Sequence, residues 1–146
     1  AQHPEQKPIR LPAEFNPKAF HKIGALGAGR DDNPQKASYY NQLYFVVGKN
    51  VSSKDLDELE LKKGIKFTAE QRKEYLTNGG QPRLDNDYTV FGEVTKGLKN
   101  VLKISEVQTE KQLPLHPVIF SIKVKKNVTP KYNKTSISLG GTAIAF

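Results

Sequence analysis

The three histidines of this sequence are the side chains that could serve in acid–base or metal chemistry. They stand at positions 3, 21 and 116, a separation that matches no metal-ligand spacing. The chain has no cysteine, which excludes thiol nucleophiles and disulfides. It also has neither a phosphate-cradling glycine loop nor a nucleophile elbow. The sequence therefore predicts no metal site and no cofactor, and it predicts structural or exposed roles for His3, His21 and His116.

The net charge of +8 comes from lysines that are spread along the chain. They occur singly or in pairs, such as Lys62-Lys63 and Lys125-Lys126, with acidic residues among them. A nucleic-acid-binding domain would need clustered basic residues or an aromatic platform. No run approaches the roughly 20 apolar residues of a membrane helix. We expect neither a nucleic-acid partner nor a transmembrane segment, and the lack of cysteine fits an oxidising or a reducing compartment equally well.

Proline and glycine divide the first fifty residues into short segments. Four prolines exclude a regular helix over residues 1–20, and residues 1–10 are predicted to be an extended N-terminal segment. Residues 24–29, Gly-Ala-Leu-Gly-Ala-Gly, suit a strand or turn that another backbone approaches closely. Residues 42–48 combine aromatic and β-branched side chains before a glycine, so they predict the best strand of the chain.

Residues 49–81 have the pattern of two helices. Thr68-Ala69-Glu70-Gln71 is a capping box that opens the second helix, which ends near residues 78–80. The first helix has a serine cap, a leucine stripe and a glycine stop: Ser52 or Ser53, then Leu56 and Leu59 with Leu61 as a further candidate, then Gly64. We predict a two-helix insertion whose charged face is solvated surface.

The last third of the chain alternates between strand and helix patterns. Thr89–Val94 predicts a strand, and the apolar residues between Leu98 and Ile104 predict a short helix. Alternation over Val118–Val124 predicts a final strand. Residues 127–146 form a C-terminal tail, interpreted as a flexible extension, although its own alternation would also let it add a strand to a partner's sheet.

The stretch Leu84–Val94, Leu-Asp-Asn-Asp-Tyr-Thr-Val-Phe-Gly-Glu-Val, resembles the Leu-Asp-Gly-x-Tyr-Thr-Val-Phe-Gly-x-Val signature of cyclophilins, which are peptidyl-prolyl cis/trans isomerases, or rotamases. The resemblance covers about 11–126. The helical insertion and the approach Gly79–Asp85 resemble the subfamily found in Bacteroidetes, often in the cell envelope. Other segments occur in the order that a cyclophilin would place them: Leu11–Phe15, Phe20–Leu26, Asn33–Ser38 and Gln42–Tyr44.

The resemblance implies a mainly β, cyclophilin-like antiparallel β-barrel with the two-helix insertion. Only the C-terminal part of that domain is matched, because the family's first strands and its catalytic arginine would precede the equivalent of Leu11. The barrel is therefore expected to be incomplete in this chain. The missing strands would lie upstream in a longer protein or in another polypeptide, or the chain would be a degenerate relative packed on a large partner. The first of these explanations is favoured.

The resemblance also implies a peptide-binding groove. Tyr44 would take the place of the phenylalanine that floors the proline pocket, and Leu84 would form the wall of that pocket. Tyr88 would stand where many members have histidine. The full set of predicted substrate-binding residues is Gly29, Arg30, Gln42, Tyr44, Leu84 and Tyr88.

The sequence departs from the family pattern beside this groove. Tyr40-Asn41 replaces Gly-Ser, Leu43 replaces an aromatic residue, and Arg83 would place a charge at the rim. Neither Arg10 nor Arg30 matches the catalytic arginine, so the catalytic residue is unassigned and activity would require the upstream arginine.

Two functions follow from the resemblance. The first is a cyclophilin-type isomerase that acts as a chaperone in protein folding or secretion. The alternative is a catalytically silent cyclophilin-like binding or assembly subunit of a larger complex. Proline-containing polypeptide segments are the expected partners in both, and a second protein chain of an envelope or secretion complex is a further candidate. The expected location is the periplasm or cell envelope, with the cytoplasm as the alternative.

Overall fold

The structure is a computed structural model that describes residues 9–123. The chain divides into two compact units, one ending at Glu93 and the other beginning at Val94, and each is described by itself. The tail over residues 127–146 and most of the predicted extended N-terminal segment lie outside the described residues, so those predictions remain predictions.

The first unit is built on two small antiparallel sheets. The larger has the strand order β4-β2-β5, with β2 in the centre, and the smaller pairs β1 with β3. These pairings agree with the predicted antiparallel fold, and within residues 9–123 the strands do not close a barrel. The strands are β1 (Arg10–Leu11), β2 (Ala25–Ala28), β3 (Ser38–Tyr39), β4 (Leu43–Phe45) and β5 (Val90–Glu93).

The register between β2 and β4 gives the larger sheet two different faces. Leu26 lies opposite Phe45, and Gly27 lies opposite Tyr44. Because side chains alternate along a strand, one face carries Leu26 and Phe45 while the other carries Tyr44 with no side chain opposite it. The predicted strands over residues 24–29 and 42–48 are both confirmed, each shorter than the pattern suggested.

The predicted helical insertion is present and its caps are those read from the sequence. Helix α1 (Ser53–Lys63) begins with a capping box between Ser52 and Asp55 and ends at Gly64 in a left-handed conformation, φ 63°. Helix α2 (Ala69–Asn78) begins with the capping box of Thr68 and Gln71. Each box satisfies two backbone N–H groups that the first turn of a helix leaves unpaired.

The insertion has its own apolar core. Leu56 and Tyr75 are fully buried, and they pack with Phe20 and Phe67. The rings of Phe20 and Tyr75 meet edge to face with centroids 5.4 Å apart. Leu61 is 86% exposed, so its candidacy for the stripe was wrong. Leu61 follows Leu56 by five residues. At about 100° per residue its side chain is rotated by roughly 140° from that of Leu56, so it lies on a different face of the helix.

A 3₁₀ turn at Pro82–Leu84 leads from the insertion towards β5. The second unit contains helix α3 (Leu98–Ser105), as predicted, and the strand pair β6 (Thr109–Glu110) with β7 (Leu113–Pro114). The predicted strand over 118–124 is wrong for residues 118–123, which are irregular and exposed. A strand needs a partner for its backbone groups, and in the part of the chain that the structure describes these residues pair with none. No helix in that part is both long and apolar enough to span a bilayer.

Replacing Leu56 with Ala should destabilise the protein by about 2–5 kcal/mol, because the substitution opens a cavity in a fully buried cluster. Leu61→Ala on the same helix is the matched control, and we expect less than about 0.5 kcal/mol from this exposed position. Chemical denaturation of both variants measures the difference. Equal losses would mean that the insertion is not packed as described.

Candidate functional site

Asp85 is a buried carboxylate that joins three separate segments of the first unit. It follows the 3₁₀ turn and is 6% exposed. Its Oδ1 accepts hydrogen bonds from the backbone N–H of His21, at 3.0 Å, and from His21 Nδ1, at 2.6 Å. Its Oδ2 accepts from the hydroxyl of Tyr75 on α2, at 2.6 Å. Three donors compensate for the burial of this carboxylate, which would otherwise be costly.

The chain of hydrogen bonds continues from His21 to Tyr44. His21 is 1% exposed, and its Nε2 lies 2.7 Å from the hydroxyl of Tyr44. Burial raises the pKa of Tyr44 above its usual value of 10, and nearby Tyr88 and Asp85 add to this effect. Burial and the adjacent Asp85 likewise raise the pKa of Tyr75. Both phenols are therefore neutral and keep a proton to donate.

Gly27 is required by the position of the Tyr44 ring. A Cβ atom at residue 27 would lie 2.1 Å from Cζ of Tyr44 and 2.3 Å from its hydroxyl oxygen. Only glycine lets the ring lie flat against strand β2 within reach of His21. The close backbone approach that the glycine-rich segment predicted is thus an approach by a tyrosine side chain.

Arg30 and Tyr88 border the Tyr44 ring. The rings of Tyr44 and Tyr88 meet nearly at right angles, with centroids 6.1 Å apart. The Arg30 guanidinium stacks on Tyr88, 4.7 Å from the ring centroid. It also donates to the backbone carbonyls of Asp87, at 2.7 Å, and Asp31, at 2.8 Å. Arg30 therefore holds the loop that carries Tyr88.

Two lysines fix the same loop from its outer side. Lys63, in the last turn of α1, donates to the backbone carbonyls of Arg83 and Asp85 and pairs with the Asp87 carboxylate at 2.7 Å. Lys36 also pairs with Asp87, at 2.8 Å. Burial alone would raise the pKa of Asp87, but the hydrogen bonds and charges of the two lysines outweigh it and lower that pKa.

The structure brings some of the predicted site residues together and places others apart. Arg30, Tyr88 and Tyr44 lie in consecutive contact: the guanidinium stacks on Tyr88, and Tyr88 meets Tyr44 edge to face. Gly29 and Gln42 are neighbours: a Cβ at residue 29 would lie 3.0 Å from Cβ of Gln42. Leu84 is half-buried in the 3₁₀ turn, where its carbonyl accepts from the amides of Asp87 and Tyr88. Peptide binding by these six residues stays a prediction.

Sequence reasoning did not identify the buried network beneath them. His21 was interpreted as a lone structural or exposed histidine, and it is buried and structural in this network. Tyr75 lies in the second predicted helix, and no sequence pattern singled it out. Asp85 lies inside the recognised signature, which was the one signal that could have pointed to it. His21 and Asp85 are 64 positions apart, so no local pattern links the two.

The arginines considered from the sequence are both engaged. Arg10 forms a bidentate pair with Asp31, with one N–O distance of 2.7 Å, and stacks on Tyr39. Arg30 is held as described above. The described residues contain no cluster of His, Cys, Asp or Glu that could hold a metal ion. The arrangement is therefore suited to binding by shape, ring contacts and hydrogen bonds.

The sequence matches the family model described as cyclophilin type peptidyl-prolyl cis-trans isomerase/CLD over residues 1–125. This match covers most of the chain, so the protein belongs to the cyclophilin-type peptidyl-prolyl isomerase family. Membership supports an isomerase-type function and the binding of proline-containing peptides. A comparison with curated proteins finds no match.

Gly27→Ala should displace the Tyr44 ring and break its hydrogen bond to His21, because the added methyl group overlaps the ring. We expect a loss of about 1–3 kcal/mol in the free energy of unfolding. Gly92→Ala is the matched control, since a Cβ there would meet Leu26 at an ordinary 3.7 Å. Denaturation and the NMR shifts of Tyr44 would test this, and an unmoved ring in Gly27→Ala would contradict the packing.

Asp87→Asn should cost about 1 kcal/mol at pH 7, because it removes the carboxylate from two ion pairs. The folded-state pKa of Asp87 is lowered, so its stabilisation is full above the unfolded value of 3.8 and is lost as the pH falls through the folded value. Denaturation from pH 7 to pH 3 should show the difference between wild type and variant shrinking below about pH 4. Asp32→Asn is the control: the Asp32 carboxylate is fully exposed and reaches Arg30 only at 4.0 Å, so the stability of this variant should follow that of wild type across the same pH range.

Proposed function

We propose that this protein is a peptidyl-prolyl cis/trans isomerase of the cyclophilin type that assists the folding or secretion of other proteins. The family match supports the reaction class. The observation that carries the proposal is the arrangement of Tyr44, Tyr88 and Gln42 on the glycine side of the β2–β4 pair. That face offers an aromatic corner made by Tyr44 and Tyr88, with the exposed Gln42 beside it.

The reaction needs few components. The barrier to rotation about a peptide bond is about 18–20 kcal/mol, and uncatalysed isomerisation at proline takes tens to hundreds of seconds. A catalyst must hold the proline ring in an apolar pocket and stabilise the twisted amide with fixed hydrogen-bond donors. Neither a nucleophile nor a metal ion is required for this.

The residues of the site suit the binding part of this task. The rings of Tyr44 and Tyr88 meet at 82° and offer two apolar surfaces to a proline ring. Gly27 and Gly29 make room for the Tyr44 ring and the Gln42 side chain over the neighbouring strand, so a bound peptide would meet those two side chains. Gln42 is exposed beside them and can hydrogen-bond the peptide backbone.

A catalytically silent binding or assembly subunit is the second candidate. The observation that favours it is that Arg10 and Arg30, neither of which matches the family's catalytic arginine, are held in the fold by Asp31 and by backbone carbonyls. The exposed Tyr40 also adds bulk next to the predicted groove. Both candidates share the same ligands, proline-containing polypeptide segments.

We place the proposed activity in the periplasm or cell envelope, where a second protein chain of a secretion complex would be a natural partner. The support for this location is the resemblance of the insertion to the envelope-associated subfamily. Fractionation of the producing cells would test it, and recovery of the protein only with cytoplasmic markers would contradict it.

The function is tested with the full natural protein and a short Ala-Ala-Pro-Ala peptide. Two-dimensional NMR exchange spectroscopy measures cis/trans interconversion, and titration in the same samples measures affinity. We expect faster exchange with wild type, and roughly tenfold weaker binding by Tyr44→Ala, as for other central aromatic contacts. Leu61→Ala, on the exposed face of α1, is the control and should behave as wild type.

The outcomes separate the candidates. Faster exchange confirms the isomerase. Binding without faster exchange would overturn it in favour of the silent module. Absence of binding would contradict both.

A further inference from the structure

The floor of the predicted proline pocket carries a hydrogen-bonding group. By the resemblance, Tyr44 stands where the family has phenylalanine, so its hydroxyl is an addition to an otherwise hydrocarbon surface. That hydroxyl does not simply point to solvent. It lies 2.7 Å from the buried His21, which in turn lies 2.6 Å from the buried Asp85.

The network determines which atom is the donor and which is the acceptor in each of its hydrogen bonds. A carboxylate only accepts hydrogen bonds, so His21 Nδ1 carries the proton that it shares with Asp85. The backbone N–H of His21 and the Tyr75 hydroxyl donate to the same carboxylate and keep it in place. In the neutral imidazole the other nitrogen, Nε2, is then an acceptor. With the imidazole in this neutral form, Tyr44 donates its proton inwards, to His21.

This direction leaves the phenolic oxygen of Tyr44 as an acceptor on its outer side. Its bond to His21 is the one hydrogen bond that the Tyr44 hydroxyl makes within residues 9–123. The residue is half-buried, and it shares the open face of the sheet with the exposed Gln42. The raised pKa of the phenol keeps it neutral, so the inward proton is present at ordinary pH. An oxygen that is an acceptor only, at the floor of the groove that the resemblance implies, would complement an N–H donor.

We propose that the Tyr44 oxygen accepts a hydrogen bond from a backbone N–H next to the proline of a bound peptide, and that His21 and Asp85 are positioning residues that keep it an acceptor. This inference rests on the proposed function. It names a substrate class, proline segments whose neighbouring residue has an N–H group. Runs of consecutive prolines, which lack that N–H, are bound less well.

The test compares Ala-Ala-Pro-Ala with two analogues in which an ester oxygen replaces the N–H of the residue before or after proline. Titration calorimetry with the full protein gives the affinities. Wild type should bind one of the two esters roughly three- to tenfold more weakly than the amide, the range expected for one hydrogen bond. Tyr44→Phe, which removes the hydroxyl and keeps the ring, should bind the amide and that ester equally.

Two further variants separate positioning from general structure. His21→Asn keeps a short amide near Asp85 but is too short to reach Tyr44, so it should lose the same discrimination. The double variant His21→Asn/Tyr44→Phe should bind the amide and the ester as Tyr44→Phe alone does. Tyr39→Phe is the matched control: it removes a hydroxyl that bonds the exposed Asp31, and it should discriminate as wild type does. If His21→Asn does not fold, Tyr44→Phe alone decides the question.

The results distinguish this inference from the function on which it rests. Equal binding of the amide and both esters by wild type would overturn the inference and leave the proposed function intact. So would an ester penalty that persists in Tyr44→Phe. Failure of wild type to bind any of the peptides would overturn the proposed function and this inference together.

Discussion

The buried carboxylate of Asp85 is the constraint on which the rest of the first unit depends. A carboxylate removed from water must receive hydrogen bonds, or the fold loses several kcal/mol. Its donors come from the segment before β2, at His21, and from helix α2, at Tyr75. Satisfying this one group therefore fixes how the insertion, the central sheet and the loop after the 3₁₀ turn meet.

The helical insertion has a larger role than a surface decoration. Its charged outer face suggested plain solvated surface, yet α1 and α2 each send one side chain into the loop at 83–87. Lys63 donates to two carbonyls of that loop, and Tyr75 bonds Asp85 within it. Because Tyr88 follows directly on this loop, the insertion helps to position an aromatic ring of the candidate groove. Its core therefore contributes to the site as well as to stability.

The site combines family features with features of this chain. The resemblance supplies the strands, the turn and the aromatic position at the pocket floor. The chain adds a hydroxyl at that position, a histidine to receive its proton, and a glycine at residue 27 that makes room for the ring. These three features depend on one another, since the hydrogen bond requires the ring to lie against a strand without a side chain. In the pocket that we propose, together they would add a polarised hydroxyl to an otherwise apolar floor.

The sequence by itself determined what is local. The Thr68–Gln71 capping box, a serine cap for the first helix and the glycine stop at Gly64 were readable because a cap depends on residues three or four apart. The family was readable because its signature at 84–94 is contiguous. The contacts of the insertion with the loop at 83–87 could not be predicted from the sequence. The irregular structure of residues 118–123 could not be predicted either, because alternation alone cannot supply a pairing partner. Only the tertiary structure decided that His21, 64 residues from Asp85, is the centre of a buried network. Hydrogen bonds between distant segments leave no periodic trace in a sequence, because the fold alone sets the distance between their atoms.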